Sequence, residues 1–146
     1  MPERIPIGAD HAGYALKERL VTELKALGYD PIDVGTHSTE ATDYPDYAHS
    51  VAHQVEVGEA KRGVLLCGSG LGMSYAANRH QGVRAAVAWT PEVARLSRAH
   101  NDANVLVLPS RFVSEREGVD ILKAWLDTPF EGGRHERRIQ KIESEN

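Results

Sequence analysis

Gly63-Val64-Leu65-Leu66-Cys67-Gly68-Ser69-Gly70-Leu71-Gly72 passes from an unbroken apolar run into closely spaced glycines. A continuous apolar segment bounded by a turn signal reads as a strand covered on both faces. The glycines let the chain turn sharply and approach a ligand closely, and a helix should follow around residues 74–78. Strand, tight turn and helix form the repeating unit of a parallel sheet, and the flanking sequence keeps that rhythm. Upstream, residues 4–8 form a first strand, in which Pro6 lacks an N–H and suggests an edge or a strand end. Leu16, Leu20, Leu24 and Leu27 mark one apolar face of a helix that Gly28 stops. Residues 31–34 are a second strand, residues 35–45 a polar loop, and Tyr47, Val51 and Val55 the face of a helix closed by Gly58. Downstream, residues 84–88 and 105–108 read as strands. Thr90-Pro91-Glu92 opens a helix with a cap, a proline at its first position and an early acid. Ser114 and Glu117 match a capping box before Val119, Leu122, Trp125 and Leu126. The expectation is an α/β fold with a five-stranded parallel sheet, helices on both faces and a C-terminal helical tail, in one domain over residues 1–146.

Length and composition bound the function. The chain has 146 residues, 41% of them hydrophobic and 26% charged, which suits one folded domain. Seventeen basic against 21 acidic residues give a net charge of −4, which argues against a generic nucleic-acid binder. The single cysteine, Cys67, excludes an intrachain disulfide and points to a reducing compartment. No apolar leader or membrane-length run is present, so a cytoplasmic location is expected.

Ligands in parallel α/β sheets bind beyond the carboxyl ends of the strands, which directs attention to residues 8–13, 67–72 and 109–111. Cys67 at the head of Gly68, Ser69, Gly70, Leu71 and Gly72 is either a buried thiol in a tight turn or a thiol at the lip of an anion-stabilising loop. The run is G-x-G-x-G, not the dinucleotide fingerprint, and no acid ends the next strand. Gly8-Ala9-Asp10-His11-Ala12-Gly13 has the outer glycines of a phosphate loop, but Tyr14 replaces the lysine, which disfavours nucleoside triphosphates. What remains is an Asp10–His11 step, readable as a helix cap with a surface histidine or as a carboxylate orienting an imidazole. His100-Asn101-Asp102-Ala103-Asn104 is either a helix end or the seat of an acid–base histidine, and it precedes its strand rather than following it. His49 and His53 are spaced one turn apart but lack a further ligand, so a solvated helix face is expected, and His37 and His80 have no supporting context. In the tail, Arg134 and Arg138 share a helix face and could grip a phosphate or sit in surface ion pairs.

Taken together, the motifs at residues 8–13, Thr42-Asp43-Tyr44-Pro45, residues 67–72, residues 100–104 and Gly132-Gly133-Arg134-His135 resemble, in one order along nearly the whole chain, the ribose-5-phosphate isomerase B family. That family also contains galactose-6-phosphate isomerase subunits. The resemblance implies a Rossmann-like α/β/α sandwich that interconverts D-ribose 5-phosphate and D-ribulose 5-phosphate through an enediolate, a step of the pentose phosphate pathway. It implies no metal or other cofactor and a homodimer with sites shared between subunits, with a tetramer left open. By the same resemblance Cys67 is the base, Ser69 and residues 68–72 cradle the enediolate, and Asp10 and His100 serve ring opening and the sugar hydroxyls. His11, Arg111, Arg134 and Arg138 match the phosphate-binding set, and Tyr44 and Asn101 line the sugar. Ser69 stands where many members have threonine, which keeps the hydroxyl.

The chemistry fits these residue types. A cyclic sugar phosphate must be opened by an acid–base pair, a carbon-bound proton then moved, and the charge on the enediolate oxygen held by fixed donors. Residues that handle C1 and C2 do not report chain length, so allose or galactose 6-phosphate and free pentoses are alternative substrates. A noncatalytic sugar-phosphate-binding regulator on the same fold is a further alternative.

Overall fold

Residues 63–67 and 105–109 are buried throughout, and they form the central strand of the sheet and one of its two neighbours. A computed structural model describes residues 1–144. Strands β1 (Arg4–Ala9), β2 (Asp30–Asp33), β3 (Gly63–Cys67), β4 (Ala85–Val87) and β5 (Val105–Pro109) pair in parallel in the order β2-β1-β3-β5-β4. Helices α1 (Tyr14–Ala26), α2 (Tyr44–Glu56), α3 (Leu71–Ala77), α4 (Pro91–Ala99), α5 (Glu115–Asp127) and α6 (Arg134–Ser144) complete the fold.

The side-chain alternation of β3 splits the interior into two cores. Val64 and Leu66 pack with Leu16, Leu20 and Leu24 of α1 and with Val119, Leu122 and Trp125 of α5. Leu65 and Cys67 face the other way, onto Ala48, Val51 and Ala52 of α2 and Met73 and Ala77 of α3. The expected doubly covered parallel sheet is therefore observed.

Element ends follow local chemistry. Thr90 caps α4 by accepting the Val93 N–H at 3.2 Å. The expected box at α5 forms, with Glu117 N–H donating to Ser114 Oγ at 3.0 Å and Ser114 N–H donating to Glu117 Oε1 at 2.8 Å. These bonds hold the Glu117 carboxyl below its usual range. Helix α2 starts earlier than the Tyr47 periodicity indicates, because Pro45 presets the helical φ in its first turn. Helix α3 starts at Leu71 instead of near residue 74, because Gly70, at φ 79°, turns the chain there.

Pro6 departs from expectation. Strand β1 is internal and Pro6 lies within it, level with Ile32 of β2. Pairing of β1 with β3 begins only at Ile7, so the missing N–H falls just outside that ladder.

The strand order reverses between β1 and β3, the topological switch point at which open α/β sheets form a crevice. Helix α6 is moored at the opposite end of the sheet, where Arg84, just before β4, meets Glu143 at 2.7 Å. No helix among the described residues is long and apolar enough to cross a membrane.

Candidate active site

The carboxyl ends of β1, β3 and β5 bring the loops at residues 8–13, 67–72 and 109–111 together, because Ala9 lies level with Leu66 and Cys67 with Pro109. Ser110 ties the ends. Its N–H donates to the Cys67 carbonyl at 2.9 Å, and its hydroxyl lies 3.0 Å from the carbonyls of Cys67 and Ala12. Above them opens a cavity of about 520 Å³ walled by Asp10, Tyr44, Cys67, Ser69 and Arg111. That is room for a small polar metabolite.

Cys67 is a free thiol, 5% exposed, at the last position of β3. The Ser69 hydroxyl accepts the Leu71 N–H at 3.2 Å, which leaves its own proton to donate. Two glycines in this loop leave space for side chains to lie across it. A Cβ on Gly72 would fall 2.5 Å from the Tyr44 ring, and one on Gly68 would fall 3.0 Å from Arg111 Nη1.

Asp10 is 7% exposed, and its Oδ1 accepts the N–H groups of Ala12 at 3.0 Å and Gly13 at 3.2 Å. The carboxylate therefore holds the strand-to-helix turn. His11 finds its partner elsewhere, for the Thr42 N–H donates to His11 Nδ1 at 3.2 Å. An accepting Nδ1 carries no proton, so neutral His11 presents an Nε2–H donor.

His100, Asn101, Arg134 and Arg138 form a second group at the other end of the sheet. The five residues of β5 separate the two ends by roughly 17 Å at strand rise. His100 caps α4, and its side chain is 40% exposed. The buried His135 ring stacks on it, with centroids 4.4 Å apart and planes 14° from parallel. Glu131 Oε1 lies 3.9 Å from His100 Nε2 and 3.6 Å from His135 Nε2. Burial first, then the charges of Arg134 and His100, holds the His135 imidazole below its ordinary value, and Glu131 opposes them. Arg134 and Arg138 are exposed on α6. Asn101 borders a further cavity of about 620 Å³ together with Arg84 and Ile142.

Metal-ligand types cluster at His100, Glu131 and His135 and at Glu18, Asp33 and His37. The near-parallel rings of the first set direct their in-plane lone pairs side by side rather than at one point. In the second set Asp33 is committed to Lys17 Nζ at 2.8 Å.

His80 has more context than its sequence neighbours indicate. Its Nδ1 meets Glu56 Oε1 at 2.9 Å and its Nε2 meets His49 Nδ1 at 2.7 Å, and the bond to His80 holds the Glu56 carboxyl low. Sequence reasoning also missed Tyr75 and Phe112, which wall the Cys67 cavity, and Glu131 beside His100. Tyr75 lies one turn past Leu71 on the outer face of α3, a phase readable once that helix is known to start at Leu71. Phe112 and Glu131 sit outside any periodic segment, and no sequence signal marks them.

Both the sequence and the fold have counterparts among known proteins. Residues 5–142 match the family model described as ribose/galactose isomerase. Ribose-5-phosphate isomerase B of Escherichia coli (strain K12) is 47% identical over 140 residues, covering 96% of this chain and 94% of that one. The crystal structure of a ribose 5-phosphate isomerase from Thermotoga maritima superposes with a TM-score of 0.94 at 50% identity, covering 97% of each chain. Ribose-5-phosphate isomerase B from Mycoplasma genitalium, solved with bound ribulose 5-phosphate, superposes with a TM-score of 0.94 at 43% identity, covering 97% of this chain and 95% of that one.

Proposed function

The chain belongs to the ribose/galactose isomerase family and is an aldose–ketose isomerase interconverting ribose 5-phosphate and ribulose 5-phosphate; from that premise we propose how its residues divide the work. Cys67, as thiolate, is the base that moves the proton between C1 and C2. The observation that carries this assignment is its place on the cavity wall between Asp10, Ser69 and Arg111. The Ser69 hydroxyl and the backbone N–H groups of residues 68–72 receive the charge that grows on the enediolate oxygen. Fixed donors of this kind need no reorganisation when the charge develops. His100, with Asp10, opens the sugar ring, and Tyr44 and Asn101 face the sugar hydroxyls. Arg111, Arg134 and Arg138 hold the phosphate, guanidinium forks suiting its oxygens, and His11 adds its Nε2–H.

This division requires two copies of the chain. Each copy carries a Cys67 half-site and a His100 half-site at opposite ends of its sheet, so a two-fold related partner completes each site with the half the other lacks. Supporting this, Leu71, Tyr75, Trp89 and Phe112 are large side chains exposed toward the Cys67 end, a surface that a partner would cover. A working thiol also needs a reducing compartment, which makes the cytoplasm the proposed location.

The test is C67A. Turnover is expected to fall by about three orders of magnitude, the scale of an acid–base contribution, while ribose 5-phosphate still binds. Solvent deuterium is expected to stop entering C1 of ribulose 5-phosphate. Undiminished exchange by this variant would remove Cys67 from the role.

A further inference from the structure

His135 belongs to no role assigned so far, yet its surroundings are unusual. The residue is 6% exposed. Its Nε2 is one of three buried side-chain polar atoms that lack a hydrogen-bond partner among the described residues. An unsatisfied buried nitrogen is unfavourable, so its placement calls for a reason. The segment that delivers it is also specific. Gly132 and Gly133, at φ 72° and 60°, turn the chain back so that α6 starts beneath the end of α4. The preceding Glu131 is fastened there by its N–H, which donates to the Ala99 carbonyl at 3.0 Å, next to His100. Residues 131–135 thus bring both a flat ring and a carboxylate to one side of His100, with centroids 4.4 Å apart and Glu131 Oε1 3.9 Å from His100 Nε2.

We propose that His135 is a positioning residue for His100, its stacked ring fixing the plane of the His100 imidazole beside Glu131 so that His100 addresses the sugar ring in one orientation. The proposal rests on the assignment of ring opening to His100. In that step a proton leaves the anomeric hydroxyl and one arrives at the ring oxygen. The bond between C1 and the ring oxygen breaks, and the C1 carbonyl forms. Donor and acceptor must align with both oxygens, and a freely rotating, half-exposed imidazole would do so only part of the time. The charged and titratable groups acting on His135 are Arg134, Arg138, His100 and Glu131. Burial, the arginines and His100 together disfavour a positive charge on His135, so its ring is the neutral member of the stack.

The experiment separates ring opening from proton abstraction. Ribulose 5-phosphate has no free hydroxyl able to close a five- or six-membered ring on its carbonyl, so deuterium wash-in at its C1 needs no ring opening. For H135A, aldose-to-ketose kcat is expected to fall about tenfold or more with KM within about twofold, while wash-in stays near that of the unaltered enzyme. H135F keeps a flat ring and is expected to recover most of the lost kcat. In an H100A background, H135A is expected to add no further loss. Equal losses of kcat and wash-in, no rescue by H135F, or an additive loss in the H100A background would each overturn the proposal. An H100A enzyme with full aldose turnover would instead overturn the assignment of His100 itself, a result read without touching His135.

Discussion

Gly72 shows how one residue links composition to site shape. The glycine-rich loop reads as a backbone cradle, but the structure gives Gly72 a second duty, since its missing side chain leaves room for the Tyr44 ring. G72A places a methyl 2.5 Å from that ring and must displace it from the cavity wall. The expected result is a fall in kcat/KM of roughly tenfold with little change in Tm, because the clash lies at the cavity rather than in either core. Steady-state kinetics check it. In a G72A/Y44A double variant the two losses are expected to be strongly non-additive. His11 teaches a related point. The Asp10–His11 step left a capping and an orienting carboxylate open, and the first is observed, since Asp10 accepts the N–H groups of Ala12 and Gly13 while Thr42 sets the His11 tautomer from a distant loop.

At the scale of elements, Lys17 is the least expected feature. It sits beside the apolar face of α1 that Leu16, Leu20 and Leu24 define, yet its side chain is wholly buried and bonded to both Asp33 oxygens at 2.8 and 2.9 Å and to Glu18 at 2.9 Å. This ion pair joins α1 to the end of β2. D33N leaves a buried ammonium with only exposed Glu18, whereas K17M removes the charge and largely keeps the volume. D33N is therefore expected to cost about 3 kcal/mol and K17M clearly less, measured by urea denaturation. The reverse order would show that the carboxylate, not the ammonium, is the member that depends on the pair. The junction of α6 with α4 has its own pH signature. His135 is held below its ordinary value in the fold, so the unfolded chain binds the extra proton first. Its contribution to stability is full above the ordinary histidine value of about 6.5 and is lost as pH falls through the lower folded value. Thermal melting of H135F over that range is expected to lose less Tm on acidification than the unaltered chain does.

At the scale of the whole molecule, Cys67 and His100, the two residues of the proposed site, lie at opposite ends of one sheet. The proposed sharing predicts complementation between inactive variants. C67A and H100A, unfolded and refolded together in equal amounts, form mixed dimers in which one of the two sites has both residues intact. Activity is expected to recover to on the order of one quarter of the unaltered enzyme with random pairing, and no recovery would overturn the proposed sharing of Cys67 and His100 between copies. The alternation of apolar strands with capped helices determined the parallel sheet, and the clustering of Cys67, Ser69 and glycines at one strand end determined where the cavity would lie, because strand ends and helix starts depend on local chemistry. The burial of Lys17, the bridge from Glu56 through His80 to His49, and the stack of His135 on His100 came only with the tertiary structure. Each joins residues far apart in the chain, and no periodicity or spacing along a sequence records which distant side chains the packing of helices on a sheet will bring into contact.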